Sequence, residues 1–150
     1  MRRLSGVLLA GAILLLPAFS QNARAQAPQK LTFEGDTVLW MVSVKAGKDA
    51  DYEAVIAALK DALQKSETPE ARQQAAGWRV VKGVKPQPDG TTIYTHIISP
   101  VVAGADYGVM ANIYSVVKDP TEQRALYDKY TGALDKTLMQ MPLKNVIELK

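Results

Sequence analysis

Hydrophobic and polar positions change period several times along this 150-residue chain, and each change marks an element. Val38, Leu39, Trp40, Met41, Val42 and Val44 form a nearly continuous apolar run, rich in β-branched and aromatic residues and too short for a typical helix. It predicts a strand buried on both faces. Ala46, Gly47 and Lys48 break the run. From Asp49 the period becomes helical: Tyr52, Val55, Ile56, Leu59, Ala62 and Leu63 make one apolar stripe, while Glu53, Lys60, Asp61 and Gln64 lie off it. Asp49 is the expected N-cap, and Asp51 and Glu53 in the first turn oppose the positive end of the helix dipole.

Further along, Thr68 and Pro69 read as the cap and first turn of a short second helical piece, running to Ala76 and closed by Gly77. Trp78 to Val84 and Thr91 to Ser99 are two apolar strands joined by two prolines and an Asp-Gly pair, which predicts an antiparallel hairpin. Pro100 closes the third strand. A helix is expected from Asp106, with Asp106 itself as N-cap and Tyr107, Met110, Ala111, Tyr114 and Val117 on one stripe. Asp119-Pro120-Thr121-Glu122 starts another, carrying Ala125, Leu126, Tyr130, Ala133 and Leu134 and fraying between Met139 and Pro142. Asn145 to Leu149 is the expected last strand, short, with Val146 inward and Ile147 a further inward candidate.

This order is strand, helix, strand, strand, helix, strand, an α+β fold with the ferredoxin-like β-α-β-β-α-β arrangement of an antiparallel sheet with helices on one face. Val38, Trp40, Val42 and Val44 share one face of the first strand; Leu39 and Met41 share the other. Helices from one chain cover one face of four strands and leave the second bare. A second copy packed sheet on sheet is therefore expected, giving a homodimer. The alternative is an arm folded over that face, for which Leu31 and Phe33 are available.

Composition bears on compartment and partners. Met1-Arg2-Arg3, the 13 apolar or small residues from Val7 to Phe19, and Ala23-Arg24-Ala25 have the order of a signal peptide, 1–25, with a second cleavage position after Ala27. Read as a helix, the apolar segment spans roughly 20 Å against a hydrocarbon core of about 30 Å, so no stable membrane anchor is expected after cleavage. Residues 26–36 are polar with a Pro and a Gly, a flexible N-terminal arm, and 37–150 make the domain. The chain has no cysteine, which suits a periplasmic or secreted bacterial protein that folds without disulfides. Of 18 Lys plus Arg, Arg2, Arg3 and Arg24 leave with the leader, so 15 remain against 15 Asp plus Glu. A neutral mature chain with scattered lysines gives no nucleic-acid footprint.

The stretch VSVKAGKDADYEAVIAALKDAL, with Lys45, Gly47 and Lys48 in its turn and Tyr52 after it, resembles the opening strand and helix of dimeric α+β barrel proteins, the superfamily of antibiotic biosynthesis monooxygenase-like domains. ISPVVAGADYG, Ile98 to Gly108, resembles exported bacterial members without an assigned activity. The resemblance implies a dimer and a range of roles from cofactor-free oxygenases and haem-degrading enzymes to proteins with no known reaction. The chain departs from the small form in its extra helical turn at Pro69 to Ala76 and its two-part helical segment after Asp106.

Candidate chemistry is sparse. His96 is the single histidine, so no site with two imidazoles can form and a haem could gain one at most. Tyr94, His96 and Ile98 point one way along their strand. His96 with Tyr94 is the catalytic candidate, as a general base or a haem ligand, against a histidine hydrogen-bonded in the interior. Trp40, Trp78, Tyr94 and His96 are the ligand-binding candidates, against plain core aromatics. No metal cluster, phosphate loop or nucleophile elbow occurs, and no cofactor other than haem is suggested. Two function classes follow: an exported, non-catalytic dimer that binds a small apolar ligand or an envelope partner, or a cofactor-independent monooxygenase or haem-handling enzyme using His96.

Overall fold

The computed structural model describes residues 29–147 and 149; the expected leader and both cleavage positions lie outside the described residues. The elements are β1 (Thr37–Val44), α1 (Asp49–Lys65), α2 (Pro69–Gly77), β2 (Trp78–Lys82), β3 (Thr92–Ile98), α3 (Val109–Val116), α4 (Pro120–Ala133) and β4 (Leu134–Leu143). They form one four-stranded antiparallel sheet in the order β2-β3-β1-β4, an α+β fold compatible with the ferredoxin-like arrangement. Among the described residues no helix is long and apolar enough to cross a membrane.

Alternation in β1 and β3 decides which face carries the core. Val38, Trp40, Val42 and Val44 are buried together with Thr92, Tyr94, His96 and Ile98. Over them lie Tyr52, Val55, Leu59, Ala62 and Leu63 of α1, with Val109 and Ile113 of α3 and Ala133 at the end of α4. The α1 stripe is thus the one that its periodicity requires. Thr68 caps α2 through its hydroxyl, which accepts from the Ala71 N–H at 3.3 Å, and Asp119 caps α4 by accepting from the Glu122 N–H at 2.7 Å.

Four expectations are corrected. Lys48, not Asp49, stands at the N-cap of α1; the Asp49 carboxylate turns to the sheet, where Thr92 and Tyr94 donate to it. Asp106 does not cap α3, whose N-cap is Gly108. It organises the preceding loop instead: its carboxylate accepts from the Leu31 and Gly108 N–H groups, and its carbonyl from the Gln74 and Asn112 side-chain amides. Of the expected α3 stripe, Tyr107 is buried in the preceding loop, where its hydroxyl accepts from the Val102 N–H, and Met110, Tyr114 and Val117 pack against the core beside the buried Val109 and Ile113, whereas Ala111 is exposed.

The fourth correction concerns the last strand. Residues 144–147 are irregular, and β4 is Leu134–Leu143, starting directly where α4 stops. The free edge of β1 recruits it: the Lys45 N–H donates to the Ala133 carbonyl, and the pairing then runs from Val44 opposite Leu134 to Thr37 opposite Leu143, with two register shifts. Pro142 is tolerated because β4 is an edge strand.

The arm is fixed where it is described. The Leu31 carbonyl accepts from the Tyr107 N–H, and the Phe33 ring packs between Trp40 and Tyr107 at 6.2 and 5.3 Å. It therefore plugs the helix-side core, and among the described residues the opposite sheet face is left open except near Ser43, which is buried beside the Gln87–Thr91 loop. On that face Met141, Leu39, Ile97 and Arg79 lie side by side across the four strands, and Met139, Met41, Thr95 and Val81 form the next row. None of these apolar residues packs against the core.

Gly77, at the junction of α2 and β2, is a point of close backbone approach: a Cβ there would sit 2.9 Å from the Pro100 carbonyl oxygen and 3.1 Å from that of Ser99. Gly77→Ala is expected to lower the unfolding free energy by roughly 1–3 kcal/mol, since the obstacle is backbone that cannot swing aside; urea denaturation at neutral pH measures it.

Candidate functional site

The four sequence candidates come together on the helix side of the sheet. Trp40 on β1 lies directly opposite His96 on β3, and Trp78 enters from the start of β2. His96 is fully buried, at 0 % exposure. Its Nδ1 accepts from the Trp78 indole N–H at 3.0 Å, and its Nε2 lies 2.6 Å from the Tyr52 hydroxyl. An indole N–H can only donate, so the ring proton of the neutral imidazole sits on Nε2 and is given to Tyr52. Trp40 stacks on the imidazole, centroids 4.5 Å apart and planes 28° apart.

This surrounding fixes the protonation state. Burial pushes His96 down from the ordinary 6.5 to about 4, because a charged imidazolium would leave water with no carboxylate bonded to it. A proton added at Nδ1 would also face the Trp78 N–H donor. Burial similarly raises the Tyr52 phenol, and it lifts Tyr130, whose ring stacks on Tyr52 at 6.3 Å, to about 12. With both nitrogens hydrogen-bonded and the ring fully buried, His96 has no free lone pair to offer iron. Haem does not fit these residues, and the ring is poorly placed as a general base.

Tyr94 belongs to a second, more polar cluster at the start of α1. Its hydroxyl is shared between Asp49 Oδ1 at 2.8 Å and Glu53 Oε1 at 2.6 Å, and Lys82 Nζ bridges the same two oxygens at 3.1 and 3.0 Å while lying over the Tyr94 ring. Burial raises the Asp49 carboxyl, but bonds from Tyr94, Lys82 and Thr92 outweigh it and hold the group below its usual range. Glu53 is lowered by Tyr94 and Lys82. Burial, then the two carboxylates, raises Tyr94. Asp49 and Glu53 carry a helix-dipole reading in the sequence and Lys82 a solvated one. The signal that could have found them is the four-residue spacing of the two carboxylates, which puts both on the face turned to β3.

Two clefts reach this region, both along the outer side of β2. A groove of about 280 Å³ between α1, α2 and β2 has Ile56, Leu59, Leu63, Ala75, Trp78 and Val80 as its apolar lining, with Lys60, Gln64 and Arg79 on the rim. A cleft of about 210 Å³ continues it past Ile56 and Val80 to Glu53, Lys82 and Tyr94. Trp78 and Tyr94 thus border open space, whereas Trp40 and His96 border none of the clefts described. Among the described residues no group of three or more His, Asp or Glu side chains is placed to hold a metal ion. Searches of protein-family models, of curated proteins and of solved structures return no match to this chain.

The depressed pKa of His96 links stability to pH. Between pH 6.5 and about 4 the unfolded chain takes up a proton that the folded chain refuses, so stability rises with pH in that window and is lost as pH falls, by about 3 kcal/mol in all. As the single histidine, His96 gives one pair of imidazole C–H resonances to follow. It is expected to stay neutral down to about pH 5; titration near 6.5 would overturn the assignment.

Proposed function

We propose that this chain is an exported homodimeric α+β barrel module whose role is association rather than catalysis, acting in the periplasm or outside the cell. The observation that carries the reading is the uncovered sheet face. Leu39, Met41, Ile93, Ile97, Met139, Met141 and Val81 occupy it in contiguous rows, with Val81 45 % and Met141 36 % exposed. Charge at this face lies at its margins, at Arg79 on β2, Lys136 on β4 and Asp89 of the hairpin loop, which lines a cleft with Ser43, Ile93 and Lys136. An apolar surface this continuous is normally covered by another surface, and two copies of one apolar sheet face are self-complementary under a two-fold axis.

Size is consistent with that partner. Four strands at about 4.8 Å and seven residues at about 3.3 Å give roughly 450 Å² of face per copy, or about 900 Å² for a pair. That lies near the lower limit of about 1,000 Å² for a specific interface. The likeness of the β1–α1 stretch to dimeric barrels and the leader-like first 25 residues support the same reading. Small apolar ligands have one region where a sequence candidate meets open space, the groove at Trp78. The catalytic alternative through His96 would require the imidazole to give up Trp78 or Tyr52.

Light scattering of the purified protein at micromolar concentration should give twice the chain mass. Met41→Asp places a carboxylate at the centre of the uncovered face and should weaken association roughly a hundredfold or more, since the charge would be buried unpaired. A wild-type protein that stays monomeric removes the proposal. In a parallel titration, stoichiometric haem is expected to leave the Soret band of free haem unshifted, and a sharp shift lost in His96→Ala would instead favour the enzyme.

A further inference from the structure

The groove on the helix side of β2 separates its charges by sign, and the separation selects a ligand. Its floor is Ile56, Leu59 and Leu63 of α1, Ala75 of α2, and Trp78 and Val80 of the strand. Trp78 brings ring carbon to this space and no donor, because its indole N–H is given to His96. Lys60 and Gln64, one helical turn apart on α1, stand on the rim, and Arg79 borders it from the sheet margin. Among the described residues Lys60 and Arg79 form no ion pair, and no carboxylate lines this groove.

The cleft that continues it has the opposite character. Past Ile56 and Val80 it ends at Glu53, Lys82 and Tyr94, where Asp49 and Glu53 share the one Lys82 ammonium. Two carboxylates against one cation leave net negative charge at that end. Lys60 stands two helical turns away from Glu53, roughly 10 Å along α1. An anion entering the groove is therefore drawn to the Lys60 end and repelled from the Glu53 end.

We infer that this groove binds a small single-tailed anionic amphiphile, of the class of a medium-chain alkyl carboxylate, with its tail over Leu59, Leu63 and Trp78 and its head group at Lys60 and Gln64. Size sets the single tail: about 280 Å³ falls just below the ~300–1,000 Å³ of drug-sized sites, leaving no room for a second chain. Charge sets the head, since an ammonium and a side-chain amide both donate to a carboxylate, whereas a neutral head gains nothing from Lys60 and a cationic one is repelled by it. The inference gives the apolar ligand of the proposed function a charge and a place. It does not rest on the homodimer, whose proposed interface is the other face of the sheet.

The two tryptophans of the chain report on the site, Trp78 at the groove and Trp40 buried in the core. In an NMR titration of the purified protein, decanoate kept below its micelle-forming concentration should shift the Trp78 indole N–H resonance and leave that of Trp40 in place. The His96 C–H resonances should follow, because Trp78 donates to that ring. Neutral 1-decanol is expected to bind about fivefold more weakly, and Lys60→Glu to weaken decanoate about tenfold by turning an attraction into a repulsion. Gln64→Glu should weaken it in the same sense, and Lys129→Glu, exposed on α4, should leave it unchanged. Decanol binding as tightly as decanoate, or both rim variants binding decanoate as the wild type does, overturns the anionic class. A Trp78 resonance that does not move, or shifts confined to Leu39 and Met41 on the opposite face, overturns the site. Light scattering is read separately, so a monomer removes the homodimer and leaves this site standing.

Discussion

β1 is apolar on both sides, and the described residues bury one of them in the core. Val38, Trp40, Val42 and Val44 meet α1, α3 and the packed arm, and this half of the strand sets the position of nearly every other buried group. Leu39 and Met41 point the other way, into rows that run from β4 to β2. Helix α1 can be laid on only one face because the loop from Lys45 to Lys48 turns it there, with the Lys48 N–H closing on the Lys45 carbonyl. Everything downstream inherits that choice: the side on which Phe33 packs, the side on which His96 is buried, and the side on which Leu39 and Met41 lie.

The buried histidine illustrates how such a core handles a polar group. A neutral imidazole has one donor and one acceptor, and the fold brings one partner to each from different elements: the Trp78 indole from the edge strand and the Tyr52 phenol from α1. Satisfied in this way, the group costs little and orients three aromatic rings around it. Trp40 is the exception beside it, since its indole nitrogen is buried without a partner among the described residues. Such a donor costs about 1–3 kcal/mol, which its stacking on His96 and its packing against Phe33 must offset. The Asp49, Glu53, Lys82 and Tyr94 cluster, by contrast, is half open to water, and screening reduces it to a clamp that orients Tyr94 rather than a large source of stability.

The two edges of the sheet differ in what protects them. β4 carries Pro142 and two register shifts, devices that discourage further pairing. β2 is short, and beside it lies an apolar groove rather than a covering element. The asymmetry is between an edge that ends the sheet and one flanked by open clefts, and it is the second that Trp78 and Tyr94 border.

Much of this architecture is legible in the residue pattern alone. The unbroken run at Val38–Val44, the three-and-four spacing from Tyr52 to Leu63 and the cap-proline pairs at Thr68 and Asp119 are local signals, and local energetics enforce them. So is the period-two alternation that puts Trp40, Tyr94 and His96 on one side of their strands. Three features needed the tertiary structure. Leu134 to Leu143 reads as the fraying end of a helix because Tyr130, Leu134 and Leu138 keep helical spacing, yet the unpaired edge of β1 draws it into the sheet. Asp49 and Asp106 have the composition of caps, but stronger partners reached them from Tyr94 and from the arm. The state of His96 is set by residues 18 and 44 positions away in the chain: the sequence by itself determined that one histidine would lie on a strand amid aromatics, and only the packed fold, by bringing a donor and an acceptor to its two nitrogens, decided that it would be a closed core group instead of an open one.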